Sequence, residues 1–227
     1  MRKHSLGIET EFIVDIELLL DTLKSNNISF IFIDKQRSYF KYENMIWEEL
    51  PELDDYKKRN LRNKLKLNYL VLKPESSLGI NKGWEFNFPP VYSEADIEKI
   101  FSLLNSCNPQ FPQKAAVHIH TSTYKLSNYD IDRLIKWYVE NETTILEEAR
   151  AVGLYAEGLN ANMTEAQDRS VPRKTNLNVY WAKMSHNTLE HRIYKATNSF
   201  KDLQWCINHT LSIIDRASTV EYDLEKF

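Results

Sequence analysis

From Ser5 to Val14 the chain alternates, with Ile8, Thr10, Phe12 and Val14 on one side and Gly7, Glu9, Glu11 and Ile13 on the other. A period of two marks a strand. Asp15 stands where a helix N-cap belongs, and Ile16, Leu19, Leu20 and Leu23 then recur at helical spacing as far as Asn26-Asn27. Short strands are predicted over Ile28–Ile33, Ser38–Tyr42 and Leu67–Leu72, and the run from Lys73 to Gly79, with Pro74 inside it, reads as a loop. Trp84–Phe88 alternates again, with Glu85 and Asn87 opposite Trp84, Phe86 and Phe88, and Pro89-Pro90 ends it. Ser93 with Asp96 and Ser127 with Asp130 are capping boxes; the first opens a helix reaching the neighbourhood of Leu104, the second the longest helix of the chain.

Ala115–Ser122 sets Ala116, His118, His120 and Ser122 on one face. Thr175–Trp181 and Asn187–Lys195 are further strands, the latter with Thr188, Glu190, Arg192 and Tyr194 opposite Leu189, His191 and Ile193. A helix from Phe200 to Arg216 closes the pattern. Residues 44–66 are charged, helical toward their end, and suited to a lid or a nucleotide-binding flank, while 160–174 read as a surface loop. This order of elements implies an α+β fold, a mainly antiparallel sheet packed by helices, with residues 1–227 forming one domain.

Composition narrows the class without changing that pattern. The 42% hydrophobic and 27% charged residues are ordinary for a globular chain, and five Gly with seven Pro leave little for a long linker. With 29 basic and 32 acidic residues the net charge is -3, so no global positive field draws the protein to nucleic acid or anionic lipid. The basic run Lys57–Lys66 reads as a solvated helix face, with phosphate contact as the alternative. No signal-like or membrane-spanning apolar run is visible, and Cys107 and Cys206 are isolated. A cytoplasmic location and no membrane partner are expected.

Four strands therefore carry polar or ionisable pairs two residues apart: Glu9 with Glu11, Glu85 with Asn87, His118 with His120, and Glu190 with Arg192. A solvated sheet face would give the same spacing, and Glu190 with Arg192 could be a structural salt bridge. The flanking residues, apolar, aromatic or small, argue for a pocket. Buried carboxylates are tolerated when cations, protons or an Arg neutralise them. Several Glu oxygens with one or two imidazoles suit magnesium or manganese, and the Arg192 fork suits a phosphate or a substrate carboxylate. Together these point to a Mg-nucleotide site. The chain lacks a phosphate-binding Gly-x-x-x-x-Gly-Lys loop, a dinucleotide fingerprint and a nucleophile elbow, so any nucleotide is held another way.

Gly7-Ile8-Glu9-Thr10-Glu11-Phe12, Lys73-Pro74-Glu75-Ser76-Ser77-Leu78, Trp84-Glu85-Phe86, Val117-His118-Ile119-His120 and Thr188-Leu189-Glu190-His191-Arg192 follow one another in an order that resembles the amidoligase family. That family is similar to glutamine synthetase and glutamate-cysteine ligase, the carboxylate-amine ligases. The resemblance implies a glutamine synthetase-like catalytic domain with its active site on the open polar sheet face. It also implies an ATP-dependent ligase that activates a carboxylate as an acyl phosphate for attack by an amine. On this resemblance Glu9, Glu11, Glu85, His120 and Glu190 hold Mg2+, or Mn2+; Glu85, Glu190 and Arg192 bind the nucleotide; and Arg192, Glu75, His118 and His120 take part in catalysis. The implied partners are small-molecule or peptide carboxylates and amines, and a homo-oligomer is allowed.

The chain departs from the family pattern at three places. Glu75 stands where Asp is common, His191 replaces an aromatic residue, and Asn87-Phe88-Pro89-Pro90 replaces Ser-Pro. Two other readings stay open: a Mg-dependent phosphotransferase acting on a small molecule or protein side chain, and a non-catalytic scaffold or nucleic-acid-binding module using the basic run.

Overall fold

The computed structural model describes residues 6–33, 40–42, 45–46, 69–79, 83–90, 93–123, 126–155, 176–178 and 188–219. The contacts gather into two compact units, Gly7–Ala115 with Asn198–Phe200, and Ala116–Thr197 with Lys201–Phe227 joined by the amino-terminal residues. Both combine strands with helices, giving a mixed α+β fold of open, mainly antiparallel sheet packed by helices. The basic run 57–66 and the loop 160–174 lie outside the described residues.

In the first unit the strands are β1 (Leu6–Ile13), β2 (Phe30–Ile33), β3 (Phe40–Tyr42), β4 (Met45–Ile46), β5 (Leu70–Glu75) and β6 (Gly83–Phe88), in the spatial order β4-β3-β2-β5-β6-β1. Among the described residues of this unit only the β2–β5 pair is parallel. The alternation in β1 and β6 sends Ile8, Phe12, Phe86 and Phe88 into the core. There Phe12 meets Phe86 edge-on, and Phe88 stacks on Phe101 with ring centroids 5.9 Å apart.

Two helices supply the apolar residues of this unit that recur at helical spacing. Helix α1 (Ile16–Ser25) starts on Asp15, whose carboxylate accepts from the backbone of Glu17 and Leu18, and buries Leu19, Leu20 and Leu23. Helix α2 (Glu94–Ser106) starts on the Ser93/Asp96 capping box and buries Ile97, Ile100, Phe101 and Leu104. Asn27, at φ 55°, adopts the left-handed conformation that Asn tolerates just after a helix.

The strand expected to end at Leu72 runs on through Pro74 to Glu75, and a single 3-10 turn, Ser76–Leu78, follows. Proline is admitted because β2 pairs with β5 only as far as Leu72. Beyond that point the β2 side of β5 makes no described ladder, so a missing N–H there costs little.

The second unit holds β7 (Ala116–Ser122), α3 (Asn128–Ala151), β8 (Leu177–Asn178), β9 (Thr188–Lys195) and α4 (Phe200–Ser218), with strand order β7-β9-β8. Helix α3 starts on the Ser127/Asp130 capping box. A charged cluster ties α3 to α4 and β9. Arg216 donates through Nη1 and Nη2 to the two oxygens of Glu148, each at 2.8 Å, and His209 Nε2 lies 2.7 Å from Glu148 Oε2. With the His209 proton thus on Nε2, Nδ1 accepts from the Tyr194 hydroxyl at 3.1 Å, which is also 2.7 Å from Thr210 Oγ1. The Arg216 bonds, aided by His209, hold the Glu148 carboxyl down at about 2. Among the described residues no helix is long and apolar enough to cross a membrane.

His191, on the apolar face of β9, is fully buried with its ring centroid 6.0 Å from that of Tyr138 on α3. Burial, then the neighbouring histidines, hold its pKa down from 6.5 to about 3. The unfolded chain binds this proton at higher pH than the folded protein does, so stability is lost as pH falls below 6.5 toward 3. Urea unfolding of the wild type should lose roughly 2–3 kcal/mol from this group between about pH 7 and about pH 4, a loss that His191→Phe should lack. Equal acid losses in the two proteins would refute the assignment.

Candidate functional site

The register of β5, β6 and β1 assembles a charged patch from residues far apart in sequence. Glu11 lies opposite Glu85, and Glu85 opposite Lys73, so one row across three strands reads Glu11, Glu85, Lys73. The next row is Glu9, Asn87, Val71, and the row on the other side is Ile13, Gly83, Glu75. Directly opposed residues share a face, and a step of two along a strand returns to it, so these nine positions face the same way. The first-row carboxylates are buried, Glu11 at 5% and Glu85 at 3% exposure.

Gly83 is what lets Glu75 join them. A Cβ on Gly83 would stand 2.4 Å from the Glu75 carbonyl oxygen and 2.5 Å from Leu78 Cβ. Without one, the end of β5 and the 3-10 turn settle directly onto β6. Glu75 Oε1 accepts from the Ser77 backbone N–H at 2.7 Å, so the residue does cap the turn, the simpler role open to it from sequence. It also brings a carboxylate to the patch. One oxygen each from Glu11, Glu75 and Glu85 lie within 4.8 Å of one another, an arrangement able to hold a metal ion.

The patch is under electrostatic load. Burial, followed by the Glu9 charge, pushes the Glu85 carboxyl well above its usual range, and Lys73 offsets this only in part. For Lys73 itself, burial works against the ammonium, but the Glu9 and Glu85 charges outweigh it and leave the pKa raised. Glu75 also feels burial most, yet the Ser77 hydrogen bonds and its neighbours carry its pKa below the ordinary value. Lys73 Nζ lies 2.9 Å from Glu85 Oε1, and the Asn87 amide donates both to that oxygen at 2.8 Å and to Glu9 Oε1. Clustered hard oxygens short of positive charge fit Mg2+ or Mn2+, with Glu11, Glu75 and Glu85 as the donors.

In the second unit, His120 lies opposite Glu190 on β7 and β9. The pairing shifts by one residue between Val117 and Ile119, so His118 sits at a bulge, with Nδ1 3.4 Å from Glu190 Oε1. Arg192 Nη1 donates to the same oxygen at 2.9 Å, and Arg192 is half-buried, so the ion pair open to a structural reading is formed. As expected, His191 turns away from Glu190 and Arg192 into the core. Thus Glu9, Glu11, Glu75 and Glu85 gather in one unit, and His118, His120, Glu190 and Arg192 lie on the two paired strands of the other.

Three residues of the patch carry no role in the sequence reading: Lys73, Gly83 and Asn87. Lys73 is two residues before Glu75, and its signal appears only once the strand is carried through Pro74. Asn87 is visible by alternation, but its bridge between two carboxylates depends on cross-strand register.

Gly83→Ala should cost roughly 1–3 kcal/mol of stability through the clash with Glu75 and Leu78, and should abolish the thermal stabilisation given by Mn2+; unchanged stability and Mn2+ response would contradict the packing described. Glu11→Gln should instead raise the metal-free melting temperature, because it removes one of two opposed buried carboxylates, while weakening the stabilisation by Mn2+. A variant that is destabilised without metal would assign Glu11 a structural role. Compared with protein-family models, with curated proteins and with solved structures, the chain matches none.

Proposed function

We propose that this protein is an ATP-dependent carboxylate-amine ligase, forming an amide or isopeptide bond, with Mg2+ or Mn2+ held by Glu11, Glu75 and Glu85. The observation that carries the reading is the approach of these three carboxylates within 4.8 Å on one sheet face, with Glu85 pushed well above its usual pKa by burial and by the neighbouring Glu9 charge. The metal would supply charge neutralisation for a polyphosphate during phosphoryl transfer. The ordered motifs that resemble the amidoligases, with a glutamine synthetase-like domain implied, support the ligase form of this chemistry.

In such a reaction a substrate carboxylate oxygen attacks the terminal phosphorus of ATP, giving an acyl phosphate and ADP. An amine then attacks the acyl carbon, phosphate leaves, and the nitrogen gives up a proton. Arg192 has the donors to engage a phosphate or a carboxylate, and its present partner, Glu190, fixes the guanidinium through Nη1. His118 and His120 are the residues of their strand able to take a proton from the amine.

A phosphotransferase reading is favoured by the same carboxylate group, which accounts for metal and nucleotide but says nothing of an amine. The products separate the two. Incubating the full chain with Mg2+, ATP and a pool of carboxylates and amines should give ADP, phosphate and a condensed product by mass spectrometry, whereas a phosphotransferase leaves phosphate on its substrate. Glu190→Gln should weaken Mn2+-dependent nucleotide binding while the protein stays folded. A wild type with no metal-dependent nucleotide binding would sink the ligase and phosphotransferase readings together.

A further inference from the structure

Lys73 occupies an unusual place for a strand lysine. It stands directly opposite Glu85 in the β5–β6 register, in the same row as Glu11, and its own strand carries Glu75 two residues later. Its ammonium touches Glu85 Oε1 at 2.9 Å, and the Glu9, Glu85 and Glu75 charges all act on it. A lysine needed only to pin two strands would be served by one exposed carboxylate. Here the ammonium lies against a carboxylate that is 3% exposed and within the group suited to a metal.

We propose that Lys73 is the built-in counter-cation of the Glu11, Glu75 and Glu85 group, and that a divalent ion entering the group displaces its ammonium from Glu85. The inference rests on the metal-binding part of the function proposed above and adds to it a control on loading. An ammonium already paired with one of the ligands lowers the affinity for the free ion. Its long, flexible stem lets it withdraw without unfolding the strand. The withdrawn ammonium is then available to an anionic ligand. Loading therefore favours an ion that arrives with its own anion, such as a polyphosphate, over the bare ion.

The test is direct titration of the full-length protein with Mn2+ alone, free Mn2+ being read by electron paramagnetic resonance at mildly alkaline pH, where a proton competes least. Lys73→Met, which keeps the stem and removes the charge, should bind Mn2+ about tenfold more tightly than wild type, as expected from removing one nearby positive charge; Lys73→Arg should stay close to wild type. Equal or weaker binding by Lys73→Met overturns the proposal.

A second readout needs no variant and remains decisive if Lys73→Met fails to fold. Brief acetylation of the wild type by an amine-reactive ester, followed by peptide mass spectrometry, should label Lys73 several-fold faster when Mn2+ is present, because the ammonium has left Glu85. Labelling that is unchanged or slower overturns the proposal. No nucleotide enters either measurement. Failure to bind ATP thus sinks the ligase and phosphotransferase readings and leaves this inference standing, Mn2+ binding without the Lys73 effects sinks this inference alone, and no Mn2+ binding by wild type or variants sinks them all.

Discussion

Like charges cannot be crowded in a buried place without something to offset them, and the charged patch on β5, β6 and β1 is organised around that constraint. Two ionised carboxylates with oxygens within 4.8 Å of one another repel by roughly 3 kcal/mol or more at an effective dielectric constant of about 20. That is a large share of the ~5–15 kcal/mol that separates folded from unfolded protein. The relief built into the fold includes the Asn87 amide divided between Glu9 and Glu85, the Ser77 N–H on Glu75, and the half-buried Lys73. An ion pair with one partner reaching solvent contributes about 1 kcal/mol or less. The high pKa of Glu85 is the remainder left uncompensated.

The second unit holds a carboxylate in the opposite electrostatic condition. Glu148 receives both arms of Arg216 and the ring of His209, and its pKa falls to about 2. Its partners are in turn engaged, His209 by Tyr194 and Tyr194 by Thr210, and Trp205 stacks on the imidazole with centroids 4.6 Å apart. The same fold thus contains one acid held low by the hydrogen bonds of Arg216 and another pushed up by burial beside a like charge. Structural charge pairing explains the first. The second is the condition expected of residues reserved for a ligand, since a group fully satisfied by its own protein has little to offer a cation.

Past the register shift in β9, Tyr194, set by alternation on the face of Glu190 and Arg192, joins His191 on the helix side instead. Elsewhere much of this was legible in the sequence, because a period of two holds through β1, β6, β7 and β9 as far as Arg192. It separated Glu9 and Glu11 from Phe12, Glu85 from Phe86, and Glu190 and Arg192 from His191, and the capping residues Asp15, Ser93 and Ser127 located three helix starts. What alternation does not encode is the partner strand. The opposition of Glu11 to Glu85 and of Glu85 to Lys73 comes from register, which is set by packing of the whole face. Pro74 hid more. Taken as a strand breaker, it put Lys73 and Glu75 in a loop, although the β2 pairing stops at Leu72 and leaves the proline nothing to interrupt on that side. The bulge beside His118 was equally invisible, since a shift of one residue alters pairing without altering composition.

The choice of glutamate at position 75 then has a physical reading. A carboxylate at this position meets two demands: it caps the Ser76–Leu78 turn through Ser77, and it reaches the Glu85 side chain, whose carboxyl donates to it when protonated. Both follow from the close seating of the turn over Gly83, which fixes the Glu75 backbone against β6. Glutamate has one more methylene than Asp, so its carboxylate stands further from the backbone and can span from the turn to the neighbouring acid. The longer side chain and the missing Cβ at Gly83 thus act together: the glycine brings the backbone in, and the glutamate delivers an oxygen to Glu11 and Glu85 without giving up the cap. The result is a third carboxylate oxygen within 4.8 Å of those of Glu11 and Glu85, an arrangement able to hold a metal ion.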